Sequence, residues 1–353
     1  MGSEIITLNE CHLNSTMQCL NLTAPQAWSF EEKTIPEIRK NEVLVRVDMA
    51  AICGSDLGLL LSDDPDIPLP RIPGHEFSGV VVQSYDVSLL GKRVVCDITI
   101  PCYVCHQCRK GMYNLCRDQG EIGFNRDGCY AEFVTVPINN IYTIPEGITP
   151  SEACLIEPLA VCLYALERIG NLSVCNNLTI AGAGGIGLIL MQLLRPKIFC
   201  GRIAVVDPNP YRCKLAKRLG ADETKVGLYQ DMFKLIEGEQ NIIIDACGDA
   251  NVFPAAIDKL APCGQFIQVG FSGKQKTSFS PALIMNKLLS IKGVMSPHGT
   301  WNEAIHLVDQ KTIDLNSLIK TYHFSEFSEG IRDAASTNCT YARVGISYEG
   351  MGE

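Results

Sequence analysis

The sequence has 353 residues, more than one ordinary hydrophobic core needs, so we expect two domains. Apolar residues make up 46% of the chain and charged residues 20%, which is typical of a globular protein. The net charge of −9 argues against binding to a nucleic-acid backbone, but not against an anionic cofactor, since a helix N-terminus holds phosphate without net positive charge.

Residues 1–16 contain neither a basic segment nor an apolar run, so we expect no signal peptide and assign this segment no role. The most apolar stretch, residues 178–194, is interrupted by glycines and predicts a strand, a turn and a buried helix rather than a membrane span. Seventeen cysteines without a secretory signal favour thiols and metal ligands over disulfides. We therefore expect a soluble, cytoplasmic protein with no membrane or nucleic-acid partner.

The first part of the chain, from Met17 to about Pro145, alternates short β-rich runs with Gly and Pro. Such runs predict strands at residues 43–47, 79–82, 93–98 and 131–136. This pattern indicates a compact domain that resembles a β-barrel.

Two short motifs in this β-rich part offer metal ligands, Cys53 in Cys-Gly-Ser-Asp and His75 in Gly-His-Glu. A catalytic zinc needs three protein ligands and an open position, and either residue alone is more often structural. Glu157 is an acid among apolar residues, and burying it unpaired would be costly, so it is the candidate third ligand. Cys154 is a rival for that position.

A second cysteine-rich motif has the spacing C-x2-C-x2-C-x7-C and comprises Cys102, Cys105, Cys108 and Cys116. Four thiolates this close satisfy a tetrahedral zinc ion, and a closed site of this kind is structural. We interpret His106, inside the motif, as a solvated side chain. A zinc ribbon for nucleic acid is the weaker interpretation, because the chain is acidic.

From residue 178 onward the pattern becomes strand–helix–strand, after a predicted helical passage over residues 151–169. Strands alternating with helices indicate a doubly wound parallel sheet of the Rossmann type, so the fold class is α/β. The predicted strands are residues 178–181, 202–206, 241–246 and 265–270, with helices over 185–195 and from 210 to about 220.

A glycine turn, Gly-x-Gly-x-x-Gly at Gly182, Gly184 and Gly187, follows the first of these strands and opens a helix. This context predicts a dinucleotide site, because the glycines allow a tight turn, close approach of a pyrophosphate and helix–strand packing. Asp207 ends the next strand, where its carboxylate would accept from a ribose 2′-OH and repel a 2′-phosphate, which favours NAD over NADP. Further cofactor contacts are predicted at Gly185, Ile186, Arg212 and Val269.

Taken in order, these motifs resemble those of the zinc-dependent medium-chain alcohol and polyol dehydrogenases. The resemblance covers nearly the whole chain from Met17 and includes Glu157-Pro-Leu. It implies a GroES-like, β-rich catalytic domain split around a Rossmann domain, with residues 17–157 and 299–353 in the former and 158–298 in the latter. It also implies one catalytic and one structural zinc, NAD, and a homodimer or homotetramer.

By the same resemblance, Cys53, His75 and Glu157 are the expected catalytic zinc ligands, and Glu76 is a fourth or alternate ligand. A glutamate at position 157 is similar to the sorbitol dehydrogenase branch. Ser55 is expected to bond the substrate alcohol and accept its proton. Asp56 is expected to orient His75.

A narrower likeness, carried by residues 53–57, 120–128 and 157–161, is to the 2-deoxy-scyllo-inosamine dehydrogenases, which implies a cyclitol or amino-cyclitol substrate. The chain departs from many members of the broader family at Gly58, where they place a histidine that passes protons to solvent.

The predicted function is hydride transfer between NAD and a secondary alcohol, with zinc as the Lewis acid. Two alternatives stay open: a reductase that keeps only the structural zinc, and a dinucleotide-binding module without catalysis.

Overall fold

The structure is a computed structural model that describes residues 5–8, 15–63, 67–172, 177–197, 201–271, 273 and 275–351. Most of the segment to which the sequence assigns no role, residues 1–4 and 9–14, lies outside the described residues. Within the described part, no helix combines the length and apolar character needed to cross a membrane.

The strands of the described chain are β1 (Ile6–Thr7), β2 (Thr16–Ala24), β3 (Ala27–Thr34), β4 (Glu42–Ile52), β5 (Glu76–Ser84), β6 (Arg93–Cys96), β7 (Thr99–Ile100), β8 (Gly120–Glu121), β9 (Phe133–Pro137), β10 (Ile141–Thr143), β11 (Asn177–Ala181), β12 (Arg202–Asp207), β13 (Glu223–Val226), β14 (Gln240–Asp245), β15 (Leu260–Gln268), β16 (Ser290–Gly293), β17 (Ile319–His323) and β18 (Arg343–Ser347).

The α-helices are α1 (Gly54–Leu60), α2 (His106–Arg109), α3 (Pro150–Ala153), α4 (Ile156–Ile169), α5 (Gly185–Leu194), α6 (Pro210–Arg218), α7 (Tyr229–Leu235), α8 (Val252–Lys259), α9 (Pro281–Lys287), α10 (Trp301–Asp309) and α11 (Phe327–Ala335).

The chain divides into two compact units. The first comprises Met1–Glu157, Ser296–Ala335 and Arg343–Glu353, and the second comprises Pro158–Met295 and Ser336–Ala342. The units therefore change at residue 157 and again near residue 295. Residues 336–342 group with the second unit, although the segments on either side of them belong to the first.

The first unit is built on an eight-stranded sheet in the order β10-β6-β5-β4-β18-β17, with β1 added at β5 and β9 at β4. Strand β4 is its centre, since it pairs antiparallel with β5, β9 and β18 and is buried along most of its length. Its apolar sequence suits this position, because branched side chains pack well on a pleated surface that is covered on both faces. The returning strand β18 thus completes a sheet begun by the N-terminal part of the chain.

The second unit is a six-stranded parallel sheet in the order β13-β12-β11-β14-β15-β16. Numbered along the chain, this is the order 3-2-1-4-5-6, with the reversal between β11 and β14. Ligands of such sheets bind at the carboxyl ends of the strands on either side of the reversal, and the glycine turn follows β11 at this edge. The predicted Rossmann fold is confirmed.

Most predicted elements agree with the structure to within a few residues, including the strand–turn–helix over 178–194, which forms β11 and α5. The sequence prediction lacked the antiparallel hairpin of β2 and β3 and the edge strand β13. Strand β13 is short and only partly buried, so its sequence carries no strong apolar signal.

Candidate active site

Three potential metal ligands meet where β4 ends and β5 begins. Cys53 follows β4 directly, while His75 precedes and Glu76 opens β5. The two strands are antiparallel with Ala51 opposite Glu76, so their register brings the three side chains to one edge of the sheet. The ligand atoms of Cys53, His75 and Glu76 lie within 4.8 Å of one another, close enough for one ion to bind all three.

Asp56 supports this cluster from the first turn of α1. Its side chain is fully buried, and its Oδ1 accepts a hydrogen bond from Nδ1 of His75 at 3.0 Å. Its Oδ2 accepts from the Tyr130 hydroxyl at 2.7 Å and from the Cys53 backbone N–H at 2.9 Å. Burial would raise the pKa of Asp56, but His75 and these donors hold that pKa below its usual value.

The bond to Asp56 fixes the orientation of His75. Burial alone would lower the pKa of His75, but the Asp56 charge and hydrogen bond raise it well above its usual value. Because Nδ1 is engaged, Nε2 is the nitrogen left for a metal, as in other carboxylate–histidine pairs behind metal ions. The orienting role expected of Asp56 thus has a matching geometry.

Glu76 shares its buried position with Arg343, the first residue of β18. Arg343 Nη2 lies 3.0 Å from Glu76 Oε1, and Arg343 Nη1 donates to the Ile52 carbonyl at 3.2 Å. The ion pair is not aligned as a hydrogen bond, and neither Glu76 oxygen has a hydrogen-bond donor within the described chain. Burial raises the pKa of Glu76 in spite of the neighbouring guanidinium.

Glu157 lies near this cluster but outside the set of ligand atoms within 4.8 Å. It is buried at the start of α4, and burial raises its pKa to about 7, while His75 acts in the opposite direction. Its rival Cys154 is a buried thiol that donates to the Ser151 carbonyl at 3.4 Å, and burial raises its pKa. A nearby cation would therefore stabilise the ionised Glu157 carboxylate, whereas the Cys154 thiol is already hydrogen-bonded in its neutral form.

The residues of this cluster fit a zinc ion. A thiolate, an imidazole and buried carboxylate oxygens without donors are the donor types that zinc binds. Ser55 lies two residues after Cys53 in α1 and is partly exposed, while Gly58 has no protein atom near its Cβ direction.

The four-cysteine motif folds into a second cluster in the same unit. The sulfur atoms of Cys102, Cys105, Cys108 and Cys116 lie within 4.8 Å of one another. Cys105 and Cys102 donate their backbone N–H groups to the sulfurs of Cys102 and Cys116 at 3.3 and 3.2 Å. Backbone donors lower the pKa of Cys105 to about 6, which favours the thiolate that a metal binds. His106 is exposed, as interpreted from the sequence.

The glycine turn has the close contacts that its motif requires. Gly182 adopts a φ of +101°, and a Cβ on Gly187 would lie 1.8 Å from the Gly182 carbonyl oxygen. A Cβ on Gly184 would instead meet no protein atom within 4 Å, so the open space is on the side where a pyrophosphate approaches. Gly185 begins α5, with Ile186 in its first turn, so backbone N–H groups face the same space.

Asp207 links the turn to the end of β12. Its Oδ2 accepts from the Ala183 N–H at 2.6 Å and its Oδ1 from the Asn209 N–H at 2.7 Å. Burial raises the pKa of Asp207. The carboxylate is thus fixed beside the glycine turn, where a ribose is expected.

Two further predicted cofactor contacts lie at the same sheet edge or beside it. Arg212 donates to Cys339 Sγ at 2.8 Å and to the Tyr341 carbonyl at 3.3 Å, so its guanidinium is bonded within the second unit. Val269 follows β15 and donates its N–H to the Asp245 carbonyl at 2.9 Å.

Sequence reasoning missed Tyr130 and Arg343, which complete the surroundings of Asp56 and Glu76. Neither belongs to a motif, since each reaches the site through strand pairing or long-range folding. The sequence of the returning tail does indicate that Arg343 has an acidic partner, because an arginine in an otherwise apolar strand requires a buried acid.

Comparison with known proteins shows that the chain is similar to zinc-binding dehydrogenases. Residues 39–146 match the alcohol dehydrogenase GroES-like domain and residues 185–310 match the zinc-binding dehydrogenase family. The chain is 30% identical over 339 residues to L-threonine 3-dehydrogenase of Francisella tularensis subsp. novicida (strain U112), covering 89% of this chain and 95% of the relative. It is 28% identical over 330 residues to D-arabitol-phosphate dehydrogenase of Enterococcus avium, covering 90% and 94%.

The fold is also similar to solved structures. One is the short chain alcohol dehydrogenase of Escherichia coli CFT073 complexed with the cofactor NADH. It superposes with a TM-score of 0.86 at 26% identity, covering 95% of this chain and 100% of that one.

Two alanine substitutions separate the structural role of the glycine turn from its binding role. Gly187→Ala should lower the unfolding free energy by about 1–3 kcal/mol, because the methyl group overlaps the Gly182 carbonyl. Gly184→Ala should leave it within about 0.5 kcal/mol of wild type, since its methyl enters open space. The same methyl should weaken NADH binding at least about tenfold by fluorescence titration. Wild-type affinity in Gly184→Ala would show that no pyrophosphate binds there.

Serine substitutions distinguish the two cysteine sites by metal content. The wild type should hold two zinc ions per chain, and both Cys53→Ser and Cys105→Ser should hold one, measured by elemental analysis. Cys105→Ser should also lower Tm by roughly 5–10 °C, because losing a closed structural site removes folding energy. Cys53→Ser should retain most of its Tm. One zinc in the wild type, unchanged by Cys53→Ser, would contradict a metal at the Cys53–His75 cluster.

Proposed function

The chain belongs to the zinc-dependent medium-chain alcohol and polyol dehydrogenases, and on that basis we propose that it transfers hydride between NAD and a secondary alcohol that is a polyol, cyclitol or amino-cyclitol. The observation that carries the proposal is the meeting of Cys53, His75 and Glu76, with Asp56 bonded behind His75. A module that only bound a dinucleotide would not need such an open set of ligands.

In this proposal Cys53 and His75 hold the zinc together with Glu157, and Glu76 is the alternate ligand. Bound zinc would act as a Lewis acid that lowers the pKa of the substrate alcohol. Asp56 keeps Nε2 of His75 directed to the ion, and Arg343 restrains Glu76 when that carboxylate is not a ligand. The buried Glu157, with a pKa raised to about 7, has the strongest electrostatic reason to bind.

Ser55 is the residue that we expect to interact with the hydroxyl group of the substrate alcohol. It stands in the first turn of α1, two residues from Cys53, and its partial exposure leaves the hydroxyl accessible to a substrate. We assign it the acceptor role in a hydrogen bond from the substrate alcohol. Gly58, one turn further along α1, has no side chain to carry the proton onward.

The preference for NAD rests on Asp207. Its buried carboxylate lies at the end of β12 beside the glycine turn, where it accepts from a ribose hydroxyl and repels a 2′-phosphate. We also propose a cytoplasmic location, and the free thiols of the cysteines that the structure describes support it.

We also propose that the protein forms a homodimer whose interface is β16, the edge strand of the parallel sheet. Four large apolar side chains are exposed between α9 and the residues after β16: Met285 (70%), Leu288 (72%), Ile291 (43%) and Met295 (52%). The two lysines of this segment turn back to carbonyls of their own unit, Lys287 to Asp258 and Lys292 to Arg168. An edge strand of low charge pairs readily with its own copy about a two-fold axis.

The function is tested by following NADH formation across a panel of polyols, cyclitols and amino alcohols. We expect turnover with NAD and a kcat/KM at least about tenfold lower with NADP, since each tenfold corresponds to about 1.4 kcal/mol of transition-state binding. Cys53→Ser should abolish turnover. Turnover that survives Cys53→Ser would indicate a reductase with only the structural zinc, and no turnover across the panel would indicate a binding module.

The dimer is tested by analytical ultracentrifugation. Wild type should sediment as twice the 38.6 kDa chain, and Ile291→Lys should shift it to the monomer, because a buried unpaired charge opposes association. Val87→Lys, at an exposed apolar residue of the first unit, is the matched control and should stay dimeric. A monomeric wild type, or a dimer unaffected by Ile291→Lys, would refute this interface.

A further inference from the structure

The loop of residues 120–128, here the 120–128 loop, is clamped to the residue before His75. Gly128 donates its N–H to the Ile72 carbonyl at 2.7 Å, and the next residue, Cys129, donates to the Gly74 carbonyl at 3.0 Å. A Cβ on Gly123 or Gly128 would lie 2.5 or 2.1 Å from the Gly74 oxygen. The loop backbone therefore lies directly against the backbone of the metal-ligand motif.

One aromatic side chain of this loop covers the imidazole of the site. The ring centroids of Phe124 and His75 are 5.1 Å apart, with 39° between the ring planes. The 120–128 loop thus forms a wall of the space around the predicted metal ligand.

Glu121 is a partly buried acid of the same loop. Its carbonyl accepts N–H bonds from Phe124, Asn125 and Arg126, which fixes its backbone. Its Oε1 accepts from Gln119 Nε2 at 2.8 Å. Within the described chain Glu121 forms no ion pair with a lysine or arginine. Burial raises its pKa, and His75 is the charged group that acts against this shift, so the two side chains are in electrostatic reach.

Two buried polar atoms near Glu121 also lack hydrogen-bond partners in the described part of the chain. Gln119 Oε1 is buried and has no hydrogen-bond donor among the described residues, and the same holds for Thr99 Oγ1. Thr99 stands opposite Glu121 in the β7–β8 pair, and paired residues of antiparallel strands share a face. Buried polar atoms without partners are costly, so this cluster has hydrogen-bonding capacity that a ligand can fill.

We propose that Glu121 determines substrate specificity: it accepts hydrogen bonds from a donor group on a carbon next to the one oxidised, and its charge excludes phosphorylated alcohols. The proposal deepens the dehydrogenase function given above and rests on it. The donor is either a hydroxyl of a polyol or cyclitol or the ammonium of an amino alcohol. A carboxylate bonds an ammonium more strongly than a hydroxyl, and it repels a phosphate.

The test compares Glu121→Gln with wild type on four alcohols: a vicinal amino alcohol, a vicinal diol, a plain secondary alcohol and a phosphorylated polyol. The kcat/KM should fall about 10–100-fold for the amino alcohol and about 2–10-fold for the diol, the range expected for charge-assisted and weaker hydrogen bonds. It should stay unchanged for the plain alcohol and rise for the phosphorylated polyol. The ratio of the first two effects identifies which donor is natural.

Two variants control for charge and folding. Glu37→Gln removes an exposed carboxylate of the same unit and should match wild type on all four alcohols. Glu121→Asp keeps the charge and should still discriminate against the phosphorylated polyol. Thermal unfolding of each variant checks that the fold is intact.

Calorimetric binding of the amino alcohol and the diol to the zinc-loaded protein with NADH gives a readout independent of turnover. Weaker binding to Glu121→Gln, with wild-type binding to Glu37→Gln, supports the proposal. Equal substrate profiles and equal binding in wild type and Glu121→Gln overturn it while leaving the dehydrogenase function standing. Wild type that neither oxidises nor binds any of these alcohols overturns both.

Discussion

The buried carboxylate of Asp56 is the constraint on which the rest of the first unit depends. An ionised group cannot be taken out of water unless donors replace the solvent, and removing one partner of such a group typically costs about 3–5 kcal/mol. Asp56 obtains its donors from three places in the chain, namely the Cys53 backbone, His75 and Tyr130. Satisfying one charge therefore positions the end of β4, the start of β5 and the segment before β9 together. The ligand cluster follows from this arrangement before any metal is considered.

Charge balance around that cluster follows from simple counting. When ionised, Cys53, Glu76 and Glu157 carry three negative charges, and Arg343 supplies one positive charge near them. With His75 neutral as a metal ligand, a divalent cation would neutralise the remaining two. When protein groups alone surround the two glutamates, burial raises the pKa of both. The charge of Asp56 is stabilised separately by its own donors. The acidic surroundings are thus matched to a dication, and the single arginine decides which glutamate is already partly compensated.

How far the sequence predicts this molecule depends on the range of each interaction. The turn at Gly182–Gly187 and the four-cysteine motif were predictable, because their chemistry is contained in a few adjacent residues. The ligands Cys53 and His75 were predictable as a pair only through a resemblance, since 22 positions separate them. Tyr130 was not, because long-range folding brings it in and leaves no local signature. For Arg343 the sequence indicates only that a buried acid is needed as its partner, and strand pairing decides which acid that is. The buried polar atoms of Gln119 and Thr99 without hydrogen-bond partners in the described chain were not predictable either, since their position near Glu121 depends on the pairing of two-residue strands.

The bond from Arg343 to the Ile52 carbonyl spans 291 positions of the chain, and this distance orders events during biosynthesis. A growing polypeptide presents β4, β5 and the buried acids of the first unit long before the strand that carries the guanidinium exists. The residues in between include the whole second unit, which is a compact body able to fold while synthesis continues. At roughly 5–20 residues per second, Arg343 is synthesised about 10–50 seconds after Glu76, and during that time Glu76 lacks its guanidinium partner. Closure by β18 is therefore the late step at which the site gains its final electrostatic balance.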